Sequence, residues 1–274
     1  FCITKAARGN TFSYPIGTIR NSVEEAVKSG CMEIWLTSQD TGTYGLDRRA
    51  NLPQLLQNIC TVEGDFFVRV GMMNPTLANH LLHPLVDAFK QDKVFKFLHI
   101  PLQAGSNSVL AAMKRGYRAE TFRNVVAEFR KQLPQLTIAT DIICGFPAET
   151  DEQFEETMAM IGEIKPDVVN VSRFWPRPGT AAAKMERLPD EIVMERSRKL
   201  HALAKRIALE RNLEWVGWRG RAVVDEKGKE PGTFIARNFA YKPIVVSSQE
   251  DLLGKIVRVE IVDASITHLK GRID

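Results

Sequence analysis

Only four cysteines occur in the 274 residues, at positions 2, 31, 60 and 144, and no two of them form a Cys-x-x-Cys pair. Neither a disulfide framework nor a zinc site is indicated, and a reducing, cytosolic setting fits. No apolar run approaches the roughly 20 residues needed to cross a bilayer, so a soluble protein with no membrane partner is expected. Also lacking are an initiating methionine, a basic segment ahead of an apolar run and a cleavage-like site, so the start at Phe1 reads as a truncation. No internal repeat or low-complexity segment is visible. The net charge of +4 is too small to prove a nucleic-acid partner. Its distribution is uneven, however, and residues 184–221 are rich in Lys and Arg.

What is present is a chain with 44% hydrophobic residues, enough to bury one large core and a second, smaller one. From residue 18 to about 165, helical periodicity alternates with short β-branched runs, the pattern of repeated βα units around a parallel sheet. Strands are predicted at 33–36, 66–70, 95–100, 136–143 and 168–174, and helices at 22–30, 51–60, 76–91, 119–132 and 150–164. With one strand presumed lost upstream, these make a partial (β/α)6 barrel of the TIM-like kind. A long helix with a basic outer face follows at 189–213. After Trp215 come short alternating strands at 221–224, 233–237, 244–247, 256–262 and 266–270, predicting a small all-β barrel of the oligonucleotide-binding type. The boundary is placed between residues 213 and 214.

In a (β/α) barrel the reactive groups sit at the carboxy ends of the strands. There the sequence carries Thr37-Ser38-Gln39-Asp40, Gly71 to Asn74, Pro101-Leu102-Gln103-Ala104-Gly105-Ser106, Gly145-Phe146-Pro147 and Arg177-Pro178-Gly179-Thr180. Loops so rich in Gly, Pro and amides suit close approach of a polar ligand, although polar loops also simply end strands.

Cys2 alone is weak support for a metal, because a solitary cysteine is more often a small apolar residue. Its surroundings add to it. Phe1-Cys2-Ile3-Thr4-Lys5-Ala6-Ala7-Arg8-Gly9-Asn10, followed by Ser13-Tyr14-Pro15, resembles the end of the Cys-x-x-x-Cys-x-x-Cys motif of the radical S-adenosylmethionine (SAM) methylthiotransferases. The stretches 33–45, 99–106, 113–117, 140–150 and 177–180 resemble later motifs of that family in order, and the terminal segment is similar to its RNA-binding TRAM domain. Ala104 and Ala148 depart from it where Ser and Gly are common. Ile3-Thr4-Lys5 with Arg8-Gly9, and Thr37-Ser38-Gln39-Asp40-Thr41, resemble the archaeal and eukaryotic branch acting on N6-threonylcarbamoyladenosine (t6A) at tRNA position 37.

The resemblance implies that Cys2 is the third thiolate of a [4Fe–4S] cluster that chelates SAM, the other two lying upstream. It further implies a second [4Fe–4S] cluster in an additional amino-terminal domain, a sulfur source, an electron donor, and a fragment inactive by itself. Gln39 and Gln103 are assigned polar contacts with SAM, Ser106 its ribose region, and Asp141 with Gly145 and Phe146 the adenosine end. Strand-end hydrogen bonding is the alternative for Gln103 and Asp141. Arg69 could hold the SAM carboxylate or pair with a neighbouring strand. His99 reads as a core histidine bonded to backbone, with proton donation as the alternative, and Cys31, Cys60 and Cys144 as packing residues. For RNA, the candidates are Arg219, Arg221, Arg237, Asn238, Tyr241 and Lys242, with Trp218 and Phe239 for stacking and Trp215 and Phe234 in the core. Alternative functions are methylthiolation of isopentenyladenosine-37 or of a ribosomal-protein aspartate, or RNA binding without catalysis.

Overall fold

In the computed structural model, which describes residues 2–273, the larger part of the chain is built on five parallel strands. Strand β1 (Glu33–Leu36) pairs with β2 (Phe67–Val70), and β3 (Phe97–His99), β4 (Thr137–Cys144) and β5 (Val168–Arg173) form a second sheet in that order. A bridge between Val68 and Val94 links the two. Around them run α1 (Thr4–Arg8), α2 (Ile16–Lys28), α3 (Leu52–Cys60), α4 (Pro75–His80), α5 (Leu82–Phe89), α6 (Asn107–Ala112), α7 (Ala119–Gln132), α8 (Asp151–Ile164) and α9 (Asp190–Leu213).

Local chemistry sets several of these boundaries. Asn51 with Gln54, and Thr150 with Gln153, form reciprocal capping boxes that satisfy the first free N–H groups of α3 and α8. The single helix expected over 76–91 is instead two, α4 and α5, meeting at Leu81. Pro84 is the cause: it cannot donate to the carbonyl of His80, and its ring crowds that carbonyl. Helix α2 begins six residues earlier than expected because Ile16 and Ile19 extend the apolar stripe of Val23 and Val27.

The alternation along the strands divides them into two faces. Ile34, Leu36, Val68, Val70, Leu98, Ile138 and Ile142 pack into the main core with Leu56, Ile59, Phe89, Phe122 and Phe129 from the helices. A side chain of that size contributes about 1.5–3 kcal/mol when fully buried. The opposite, inner face carries Trp35, Arg69, Phe97, His99, Asp141 and Asn170, and Trp35 is 58% exposed there.

Beyond α9, five strands close into a barrel in the order β10, β8, β7, β6, β9: β6 (Arg219–Lys227), β7 (Thr233–Asn238), β8 (Pro243–Ser247), β9 (Ile256–Ala264) and β10 (Leu269–Ile273). All neighbours are antiparallel except β8 with β10. Its separate core contains Trp215, Phe234, Ile244, Val259 and Leu269, as expected for Trp215 and Phe234. The last strand starts three residues later than expected, since Ser265 N–H and His268 C=O close a turn at 2.8 Å. No helix among the described residues is long and apolar enough to cross a membrane.

The two parts meet along a polar and aromatic seam. Lys242, 3% exposed, places its ammonium 2.8 Å from Asp167 and donates to Asn212 at 2.9 Å. Asp167 also accepts from the Ile138 N–H and pairs with Arg211, and Asn212 donates to the Ser265 carbonyl. Tyr241 lies with its ring 4.8 Å from that of Phe95 and 5.2 Å from that of Phe97. Its backbone takes φ +60°, a conformation held by the turn that the Asn238 side chain closes on the N–H groups of Ala240 and Lys242.

Candidate functional site

The carboxy ends of β3, β4 and β5 open into a cleft of about 410 Å³. Cys2, Gln103, Arg115, Asp141, Arg173 and Trp175 are among the residues that line it. A second cleft, about 550 Å³, adjoins it and shares Arg173 and Trp175, with Arg187 and Asp190 on its far side.

Gln103 is positioned by its backbone. Its N–H donates to the Asp141 carbonyl at 2.8 Å and its carbonyl accepts from Ile143 at 2.9 Å, so it continues the parallel ladder past the end of β3. It does so with φ +71°, unusual for a residue with a side chain, in a segment where the buried Tyr117 hydroxyl donates to the carbonyls of Pro101 and Leu102. Burial pushes that phenol up to about 12, so it remains a donor. Gly105 supports the same loop: a Cβ there would stand 2.5 Å from Thr157 Cα, so only glycine lets α8 approach.

Asp141 and His99 face each other on the inner surface, with Oδ2 and Nε2 2.9 Å apart, while Asn170 donates to Oδ1 at 2.8 Å. Burial acts to raise the Asp141 carboxyl, but the hydrogen bonds from His99 and Asn170 and the charge of Arg115 outweigh it and hold it below its ordinary value of 3.8. His99 therefore has a carboxylate partner rather than the backbone bond expected from its apolar strand. Cys2 presents its thiol 3.0 Å from the Thr4 hydroxyl. Partial burial works against ionisation, yet the Thr4 side chain and backbone and the Arg115 charge bring the thiol below its ordinary 9.0. Ionisable and open to the cleft, Cys2 suits a thiolate ligand. It could supply one ligand only: among the described residues no group of three His, Cys, Asp or Glu could hold a metal. Phe1, which opens the motif, lies outside the described residues.

The remaining expected cofactor residues are dispersed. Gln39 is exposed on the loop after β1 and lines neither cleft. Ser106 is 1% exposed and spends its hydroxyl on Ser108 at 3.0 Å, so it does not face a ligand. Phe146 is buried against Phe174, ring centres 5.3 Å apart, and is a packing residue. Gly145 borders the second cleft with φ +71°, and a Cβ there would strike Val193 at 2.5 Å. Among the described residues Arg69 makes no strand-to-strand ion pair; its guanidinium lies about 5 Å from the rings of Trp35, Phe97 and Tyr241 on the inner face. Cys144 is buried and pushed up to about 12 by that burial, while Cys31 and Cys60 lie away from both clefts. Ala148 takes φ +62°, a conformation in which glycine would sit without strain.

Sequence reasoning missed Arg115, which is aimed at the cleft because Lys114 turns left-handed (φ +58°) and Arg115 N–H returns to the Leu110 carbonyl at 2.9 Å. The Lys-Arg-Gly run after α6 was the available signal. Missed too was Glu149, 3% exposed, which accepts from Gly145 N–H at 3.1 Å and from Arg196 at 2.8 Å, tying the loop after β4 to α9.

In the terminal barrel, Arg219 and Arg221 are exposed and pair with Glu260 and Asp65. Asn238, Tyr241 and Lys242 belong to the seam, and Arg237 is largely covered, bound to Asp225 and Glu226. These four do not form an open basic surface, because Arg237 and Lys242 are ion-paired within the chain and Asn238 is buried. Trp218 and Phe239 are partly buried, their rings 6.0 Å apart and each 5.8 Å from that of Trp215.

Residues 1–161 match the Radical SAM superfamily. Over all 274 residues the chain is 44% identical to the probable threonylcarbamoyladenosine tRNA methylthiotransferase of Archaeoglobus fulgidus, covering 64% of that protein. It is 38% identical to the human threonylcarbamoyladenosine tRNA methylthiotransferase, covering 99% of this chain and 47% of that one. The chain thus spans between about half and two thirds of the length of these curated relatives. Among solved structures, coproporphyrinogen III oxidase from Escherichia coli, described as a radical SAM enzyme, superposes with TM-score 0.53 at 14% identity, covering 89% of this chain and 60% of that one. Methylornithine synthase gives 0.50 at 16% identity over 74% of this chain and 57% of that one. The match over more than half of the chain, with parallel strands whose carboxy ends open on a cleft bearing Cys2, establishes that the chain belongs to the radical SAM superfamily.

Proposed function

We propose that this chain is the catalytic and RNA-binding part of a tRNA methylthiotransferase that converts t6A at position 37 of the anticodon loop to its 2-methylthio derivative. The meeting of Cys2, Gln103 and Asp141 in one cleft carries the assignment, supported by the similarity to threonylcarbamoyladenosine tRNA methylthiotransferases along the whole chain. Residues 1–213 would form the radical SAM domain, as a partial (β/α)6 barrel, and residues 214–274 a TRAM-like RNA-binding domain. Cys2 would provide one thiolate of a [4Fe–4S] cluster that, with SAM bound, supplies radical chemistry. The complete protein would carry the second cluster, draw on an electron donor and a sulfur source as partners, and act in the cytoplasm.

The side chains of the cleft have distinct tasks in this scheme. Gln103 would offer its amide to the polar groups of SAM from a backbone already fixed against β4. Asp141, kept ionised by His99 and Asn170, would accept hydrogen bonds from hydroxyl groups and orient them. Arg115 would balance the negative charge gathered there. Arg219 and Arg221, both exposed on β6, would meet tRNA phosphates, which predicts affinity that falls steeply with salt.

The test is mass spectrometry of total tRNA nucleosides in cells that contain t6A without its methylthio derivative, with and without the full-length gene. Appearance of 2-methylthio-t6A, lost on Cys2→Ala, is the expected outcome. Unmodified t6A beside soluble protein with intact clusters would exclude this substrate.

A further inference from the structure

Strand β5 ends in a segment that the assignments above leave unused. Phe174 is buried against Phe146 and anchors it, and the next residue, Trp175, is left 66% exposed on the ridge between the two clefts. An exposed indole at the mouth of a site is a platform on which bases of any identity stack.

Its neighbours are arginines. Arg173 lines both clefts and Arg177 lines the one that holds Cys2. Both are exposed, and neither has an acidic partner among the described residues. Arg187 adds a cation 5.7 Å from the Trp175 ring while bound to Asp190. The segment is also held in shape. Pro176 and Pro178 restrict its backbone, and Thr180 returns both its N–H, at 3.2 Å, and its hydroxyl, at 2.8 Å, to the Arg177 carbonyl. An exposed aromatic flanked by two unneutralised guanidiniums on a fixed turn matches a base that carries or adjoins an anionic group.

We propose that the Arg173-Trp175-Arg177 loop is the substrate-selecting element of the site: Trp175 stacks on a base of the bound RNA, and the two arginines hold an anion beside it. That anion is a carboxylate on the modified base or a backbone phosphate, and the second cleft receives the bulk of the group that bears it. The proposal rests on the tRNA reading above and specifies how the target nucleoside is turned towards the cleft of Cys2.

The experiment uses the full-length, cluster-loaded protein and two anticodon stem-loop RNAs, one with t6A37 and one with unmodified A37, in binding titrations at two salt concentrations. Trp175→Ala should weaken binding of both by about 5- to 100-fold, the range of one lost base stack. Arg173→Gln with Arg177→Gln should weaken binding at least tenfold, the scale of a lost charge-assisted contact. A loss confined to the t6A RNA identifies the carboxylate; an equal loss on both, with a shallower salt dependence, identifies a phosphate; either supports the subsite. Arg118→Gln with Arg123→Gln, at two surface positions that line neither cleft, removes the same two charges and controls for net charge. All three sites are exposed, so the variants should keep the wild-type melting temperature. Binding of both RNAs within twofold of wild type by the double arginine variant overturns the proposal. Should the wild-type protein leave t6A RNA unmodified while these variants still lose RNA affinity, the methylthiotransferase reading fails and the RNA subsite stands.

Discussion

Arg196 is the side chain whose loss can be costed most closely. It is 5% exposed, donates to the Glu149 carboxylate at 2.8 Å and to the Glu149 carbonyl at 2.9 Å, and reaches the exposed Asp151 at 2.7 Å. Arg196→Met removes the cation and leaves a buried carboxylate whose remaining partner is the Gly145 N–H. Breaking a buried pair in this way costs about 3–5 kcal/mol. Protonation sets a ceiling on the electrostatic part. Burial already raises the Glu149 carboxyl, against the pull of the Gly145 hydrogen bond and Arg196, and without Arg196 it rises further. From its ordinary value of 4.5, neutralising it at pH 7 costs 2.5 pH units, about 3.4 kcal/mol at about 1.36 kcal/mol per unit. At pH 5 the ceiling falls to about 0.7 kcal/mol. A carboxyl raised in the folded state lowers stability as pH climbs from its unfolded value to its folded one, so the penalty should grow across that window. Urea titrations at pH 5 and pH 7 should therefore show the variant losing more at pH 7, by at most about 2.7 kcal/mol. Glu149→Gln in the same background should remove most of that pH dependence. A penalty equal at both pH values, or unchanged by the second substitution, would refute the account.

Two further outcomes follow from the loop that carries Gln103. Gly105→Ala drives a Cβ to 2.5 Å from Thr157 Cα and 2.7 Å from the Glu156 carbonyl, both backbone atoms of α8 that cannot swing aside. Overpacking of this kind costs about 1–3 kcal/mol, which thermal unfolding would register as a lowered Tm, and an unchanged Tm would mean that α8 does not rest on this loop. Tyr117→Phe strips the donor from the carbonyls of Pro101 and Leu102 while keeping the ring, at a cost of about 1–3 kcal/mol. Faster amide exchange at residues 102–105 should accompany that loss, and full protection there would show that the ring alone holds the loop.

The parallel strands were legible because β-branched runs alternated with amphipathic helices, and Gln103, Asp141 and Cys2 because strand-end position and motif agreed. Contacts made by residues distant in sequence were not. Ser106 and Phe146 stand in the right loops, yet their side chains turn under them, a choice fixed by the packing of Ser108 and Phe174 rather than by the loop's composition. Arg69 reads as half of an ion pair until the fold surrounds it with three aromatic rings. The division of 76–91 was within reach, since Pro84 falls four residues after the carbonyl it displaces.

The basic residues of the terminal barrel show how the seam sorts a single sequence cluster. Arg237, Asn238, Tyr241 and Lys242 are near neighbours in the chain, and by composition any of them suits RNA. Lys242 instead meets Asp167, and burial, which lowers the proton affinity of its ammonium, is opposed by that carboxylate. Tyr241 inserts between the cation of Arg69 and that of Arg237, closing the base of the inner face on which Trp35 and Asp141 stand. A residue committed in this way to joining two bodies cannot also be released to a phosphate without exposing Asp167, whose charge is 1% exposed. On the RNA-binding reading proposed above, contact would therefore fall to side chains that leave no buried partner behind when they turn outward. Arg219 and Arg221 on the barrel and Arg173 and Arg177 at the cleft meet that condition. Because the seam fixes the terminal barrel against β3 and α9, an RNA gripped by the first pair would, on that reading, be presented to the second at a distance set by the fold.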